Sequence, residues 1–220
     1  MVIIDFYPEN NQSTDSTLKS VHPSLTANVS AVGQALVITP EKIMNIETVR
    51  FLLKRGGNAT GNLVAQIYSV TGTVGTNAKP IGSPLAESSP VSMSTIPAAY
   101  QLIPFTFSPS YHLVNGVNYI IQCVAKNATL LDAGNYIFIG QDTTAPSHPG
   151  NMSYYNNGAW SGVAGFDLIF YAETSFNPGE FGPLAPTPTV STKFMRLLIA
   201  WLNAKTRLKQ RITLKIVDED

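Results

Sequence analysis

Short segments in which apolar and polar residues alternate, each closed by glycine or proline chemistry, constrain this chain more than anything else in it. Residues 48–54 set Val49, Phe51 and Leu53 against Arg50 and Lys54, the pattern of a strand with one buried face. Gly56-Gly57-Asn58 follows as a turn. Residues 62–70 alternate again, with Leu63, Ala65 and Ile67 on one side and Gln66 and Tyr68 on the other. Further strands are expected at 2–6, 34–38, 100–107, 118–125, 135–140 and 166–172. Residues 72–84 read as a loop rich in Gly, Pro, Thr and Asn. Pro104 has no amide hydrogen to donate, which places the strand at 100–107 on an edge or at a bulge. No useful helical period occurs before residue 193. The expectation is an all-β fold, a two-sheet antiparallel β-sandwich of jelly-roll type whose inner faces interdigitate.

The pattern changes after residue 176. Residues 177–192 hold four prolines and two glycines and read as an extended, semi-rigid linker. Beyond it, Phe194, Leu197, Leu198, Trp201, Leu202 and Leu208 fall largely on one helical stripe. Ile212, Leu214 and Ile216 then alternate with Thr213 and Lys215 as one short strand. A helix and a strand of this size cannot bury a core alone. The chain is therefore read as a sandwich over 1–176, a linker over 177–192 and a C-terminal helix-plus-strand segment over 193–220. That segment is expected to anchor or oligomerise the protein.

Charge supports the division. Only 13% of the 220 residues are charged, against about 25% in average globular chains, and the formal net charge is zero. Residues 1–192 hold 7 Lys/Arg and 11 Asp/Glu, whereas 193–220 hold 7 and 3, the 3 acids being the last three residues. A basic segment behind a mildly acidic body can have its own partner. Lys205, Arg207, Lys209 and Arg211 could neutralise an acidic neighbour or packaged nucleic acid. Trp201 among basic residues also fits a membrane-surface helix. Docking on protein is the favoured reading, because an exposed strand tends to add to a sheet edge.

Cys123 is the one cysteine, so no intramolecular disulfide forms, and its place in a strand-like run suggests a buried thiol. The N-terminal residues lack the basic and apolar regions of a signal peptide. The apolar run near 194–202 is broken by Arg196 and is too short to span a bilayer. A chain made without a secretion signal is expected. The Asn-x-Ser/Thr sequences at Asn11, Asn28, Asn58, Asn127 and Asn151 are then read as coincidence.

Several phrases carry a family resemblance: Gly33-Gln34-Ala35-Leu36, residues 46–54, residues 60–68, residues 113–119, His148-Pro149-Gly150-Asn151, Trp160 and residues 167–171. Their order resembles the jelly-roll domains called choice-of-anchor type R. It is also similar to carbohydrate-binding-like jelly rolls in phage and archaeal virus structural proteins. The resemblance covers roughly residues 1–172 and implies a jelly-roll fold, with no single function attached.

Residues 141–160 hold the candidate ligand site. Asp142, His148, Asn151, Tyr154, Tyr155 and Trp160 combine aromatic faces with amide, imidazole and carboxylate groups, an inventory suited to sugar. The alternative is that Trp160 and one tyrosine cap the core. No metal site is expected: His22, His112 and His148 lack ligand spacing. Asp5, Asp142 and Asp167 are conceivable calcium donors, but no Asp-rich loop accompanies them, and no cofactor is called for. No catalytic motif stands out, since paired carboxylates, a Gly-x-Ser-x-Gly elbow and a phosphate-cradling loop are all lacking. The expected function is that of a non-enzymatic virion structural protein, an outward-facing decoration, spike or fibre component. Its partners would be other virion proteins and copies of itself, in a homo-oligomer, with no specific nucleic acid and no transmembrane segment. The alternative is a carbohydrate-binding adhesion module on a virion or cell surface.

Overall fold

The computed structural model describes residues 2–18, 31–39, 45–132, 134–144, 146–156 and 158–174, all within the unit Met1–Phe176. The linker at 177–192 and the anchoring positions from Phe194 to Ile216 lie outside the described residues, as does His22.

Two antiparallel sheets pack face to face. The first contains β1 (Val2–Tyr7), β2 (Thr14–Leu18), β4 (Asn45–Gly56), β8 (Gln101–His112), β10 (Tyr136–Asp142), β13 (Asp167–Leu168) and β14 (Phe170–Thr174). The second contains β3 (Ala31–Ala35), β5 (Thr60–Thr71), β6 (Lys79–Glu87), β7 (Val91–Ser92), β9 (Tyr119–Leu130), β11 (Met152–Asn156) and β12 (Ala159–Val163). The first runs β1-β14-β4-β10-β13, with β8 on β4 and β2 on β10; the second runs β12-β11-β3-β9-β5-β6, with β7 on β5. The chain crosses between sheets at most connections, so nearly every strand pair is non-local. Among the described residues no helix is long and apolar enough to cross a membrane.

The alternation in sequence becomes the two inner faces. Val49, Phe51 and Leu53 of β4 meet Ile103, Phe105 and Phe107 of β8 and Ile137 and Ile139 of β10 within one buried cluster, which also receives Leu63, Ala65 and Ile67 of β5 and Tyr119, Ile121 and Cys123 of β9. The Phe51 and Phe105 rings pack edge to face, 5.9 Å apart. Cys123 is fully buried, and burial drives its thiol pKa strongly upward, which suppresses the thiolate that reactivity needs.

Pro104 sits opposite Arg50 on β8, whose only strand partner among the described residues is β4, so the missing amide hydrogen disrupts no central ladder. Several strands differ from the expectation, among them β3, which runs over Ala31–Ala35 where residues 34–38 were expected. β2 pairs with β10, although its Thr-Asp-Ser-Thr-Leu sequence has little apolar alternation. β6 occupies much of the expected loop at 72–84. It tolerates Pro80, Gly82 and Pro84 because it lies at a sheet edge and its register shifts between Ile67 and Ser69 of β5. β11 and β12 form a hairpin in the expected loop-rich stretch, with Asn156 opposite Ala159 and Gly158 at φ +84°. The Asn157-Gly158 pair is the hairpin signal in the sequence.

Candidate functional site

His148 lies in the loop between β10 and β11 and enters the gap between the sheets. Its side chain is 5% exposed. Nε2 lies 3.1 and 3.2 Å from the two carboxylate oxygens of Asp5 on β1, and Nδ1 lies 3.2 Å from Oδ1 of Asp167 on β13. Gln34 of β3 joins from the second sheet: its Nε2 donates to Asp167 Oδ1, and its Oε1 accepts from the Leu168 amide at 2.7 Å. Asp5 also accepts from the Val37 amide at 2.7 Å. Gly150 makes the approach feasible, since a Cβ there would stand 2.3 Å from the Ala35 carbonyl oxygen and 2.6 Å from the imidazole.

Burial alone would depress the imidazole pKa. Hydrogen bonds and charge from Asp167 and Asp5 outweigh it and raise the value to about 9. The imidazolium is therefore the form at neutral pH, donating one proton to each aspartate. The Gly150 amide also lies 3.1 Å from Nδ1. A protonated Nδ1 cannot accept it, so that approach is a packing contact in the charged form.

Asp142, at the end of β10, belongs to an adjoining network. Its carboxylate accepts from the Tyr7 hydroxyl at 2.7 Å, the Ser13 hydroxyl at 3.0 Å, and the Thr144 hydroxyl and amide at 2.7 and 2.8 Å. Burial works to raise its pKa, but these donors lower it to about 2. Burial and the Asp142 charge push Tyr7 up to about 12. The Tyr7 ring is also 6.2 Å from the His148 ring, so the two networks adjoin.

Asn151 is fully buried. Its Nδ2 donates to the Ala78 and Met152 carbonyls at 3.1 and 2.9 Å, and its Oδ1 accepts from the Gly75 amide at 3.0 Å. One side chain thus pins the 72–78 loop to the start of β11.

The six expected ligand residues are therefore divided. Asp142, His148 and Asn151 are buried and hydrogen-bonded within the fold, as burial requires of polar groups. Tyr154 is 37% exposed and shares the strand phase of the core residue Met152, so it leaves from the sheet side opposite Tyr155. Tyr155 and Trp160 are cross-strand partners with ring centroids 5.4 Å apart, tilted by 56°. Both are half-exposed on the outer side of the second sheet.

The conceivable calcium donors do not converge either. Asp5 and Asp167 flank His148 while Asp142 binds hydroxyls, and no described cluster of His, Cys, Asp and Glu is arranged to hold a metal. Gln34 and Tyr7 were not singled out by sequence. Gln34 leaves a trace, a polar residue in the inward phase between Val32 and Leu36; Tyr7 leaves none.

Fold and site together define a class, a two-sheet β-sandwich locked at one end by a buried ionic clasp. Comparison with family models, curated proteins and solved structures gives no significant match.

Proposed function

We propose that this chain is a non-enzymatic structural protein of a virus particle, an outward-facing sandwich held in place by residues 193–220. The observation that supports the non-enzymatic part is the closure of its chemistry. A general acid or base must exchange its proton with a group entering from solvent. Both nitrogens of His148 instead face carboxylates inside the fold, and Asp142 is saturated by hydroxyl and amide donors. Such ties suit a body that holds its shape while presenting surface. The particle assignment draws on the basic, apolar-striped segment behind a proline-rich linker. The test is incorporation of full-length protein carrying Leu198→Asp and Trp201→Asp into assemblies. The variant should keep the unfolding midpoint of the sandwich and lose oligomers or particle association. Normal assembly by this variant would remove the anchoring role.

A second reading, a carbohydrate-binding adhesion module, is favoured by the half-exposed Tyr155–Trp160 pair on the outer side of the second sheet. Aromatic rings offer apolar area with little loss of side-chain freedom.

A further inference from the structure

The outer face of the first sheet carries an aromatic platform at its β1 edge. Phe6 of β1 faces Tyr171 of β14, and Tyr171 faces Arg50 of β4. Strand alternation puts all three on the side away from the core, because Tyr7, Phe170, Ala172, Val49 and Phe51 occupy the inner phase. The Phe6 and Tyr171 rings stack with centroids 5.5 Å apart and planes 20° from parallel. The platform is open to solvent. Phe6 is 43% exposed, and Ile3, which lies opposite Glu173, is 36% exposed. Tyr171 and Arg50 are partly exposed, and Glu9 is exposed.

Two carboxylates and one cation stand around the rings. Arg50 Nε donates to Glu173 Oε2 at 2.9 Å, and that pair cancels its own charge. Glu9, just past β1, accepts from the Tyr171 hydroxyl at 2.8 Å and has no cationic partner among the described residues. Burial, this hydrogen bond and the charges of Glu9 and Glu173 push the Tyr171 pKa up to about 12, so the phenol keeps its proton and keeps donating to Glu9. Aromatic faces attract a cation, and an exposed carboxylate beside them adds charge. Arginine suits both, since its guanidinium stacks on rings and forks to carboxylates.

The chain itself carries a segment of matching chemistry. Residues 1–192 hold 7 Lys/Arg and 11 Asp/Glu, whereas residues 193–220 hold 7 and 3. Lys205, Arg207, Lys209 and Arg211 recur at every second position, a spacing that sets side chains on one side of an extended backbone. We propose that the Phe6–Tyr171–Glu9 platform takes up the basic residues 205–211 of a second copy. The inference rests on the anchoring reading and names the surface that the segment grips. An arginine of the second copy lies on the Phe6 and Tyr171 rings and pairs with Glu9. The contact joins two different surfaces, so repeating it links copies head to tail, in a ring or an open array.

The test is sedimentation equilibrium of full-length protein, with urea unfolding of each variant as the folding control. Wild type should self-associate, and should do so more weakly as ionic strength rises from about 0.05 to 0.5 M. Phe6→Ala, Glu9→Lys and the double variant Arg207→Glu with Arg211→Glu should each weaken association about tenfold or more. Glu9→Lys combined with that double variant should recover association, because the charges are again opposite. Glu87→Lys, an equal change of charge on the second sheet, should leave association unchanged. Should Phe6→Ala lower the unfolding midpoint, Glu9→Lys and its recovery carry the test. Association lost in Leu198→Asp with Trp201→Asp but kept in Phe6→Ala and Glu9→Lys overturns the platform and leaves the anchoring reading standing. An equal loss in Glu87→Lys, or no recovery in the combined variant, overturns the platform as well. A wild type that stays monomeric also overturns it, and particle association then decides the anchoring reading separately.

Discussion

The sandwich holds two polar regions built from similar residue types and finished differently. Between the sheets, His148, Asp5, Asp167 and Gln34 each meet a partner, and strands of both sheets contribute. On the outer face of the second sheet, Gln122, Gln66, Glu87 and Lys126 form a chain from one sheet alone, and it ends on unpartnered atoms. A closed network holds structure because every member pays its desolvation within the fold. An open one leaves buried acceptors whose desolvation no described partner offsets. The contrast separates a network that is satisfied throughout from one that is satisfied at one end only.

Breaking the clasp should have the largest effect. Asp167→Ala leaves an imidazolium and the Gln34 amide facing a lost acceptor, and should destabilise the fold by about 3–5 kcal/mol in urea unfolding. A change of under about 1 kcal/mol would mean that the clasp is not what joins the sheets at this end.

Titration probes the same group without mutation. The folded pKa of His148, about 9, stands above its ordinary 6.5. Its contribution is therefore full below pH 6.5 and is lost as pH rises through about 9, for a total of about 3 kcal/mol. Asp142 acts with the opposite sign: its folded value of about 2 lies below the ordinary 3.8, so its contribution is present above that value and is lost as pH falls through about 2. Urea midpoints measured across pH in wild type and His148→Gln should lie furthest apart below pH 6.5 and converge as pH rises through about 9. Parallel curves would break the assignment.

Asn151→Ala is expected to cost about 1–3 kcal/mol by orphaning the Gly75 amide and the Ala78 carbonyl. Hydrogen exchange should rise selectively in residues 72–78, and uniform exchange would contradict the pinning role. The smallest effect belongs to the outer chain of the second sheet. Lys126 and Glu87 are 43% and 36% exposed, so Lys126→Ala should shift stability by no more than about 1 kcal/mol. A larger loss would mean that the outer row is structural and would narrow the contrast with the clasp.

Much of the sandwich was legible in residue order. Val49, Phe51 and Leu53, then Leu63, Ala65 and Ile67, announce buried faces because side chains alternate at period two, a local property of extended backbone. Pro104 announces an edge for the equally local reason that it lacks an amide hydrogen. β6 was not legible, since Pro80, Gly82 and Pro84 resemble a loop until the sheet supplies an edge to hold them. The candidate site was legible only in part. Residues 141–160 do carry Tyr155 and Trp160 on one face, but Asp142, His148 and Asn151 in the same stretch have buried side chains tied to other parts of the fold.

What residue order determined by itself was thus the alternation, the turns and the all-β character, each decided by neighbours along the chain. What only tertiary structure decided was which polar groups meet. Asp5 reaches His148 across 143 positions and Gln34 reaches Asp167 across 133, while the chain from Gln122 through Gln66 to Glu87 exists only because three strands fall into one register. Partnership between distant side chains depends on sheet order and strand phase, and neither is a property of any single segment.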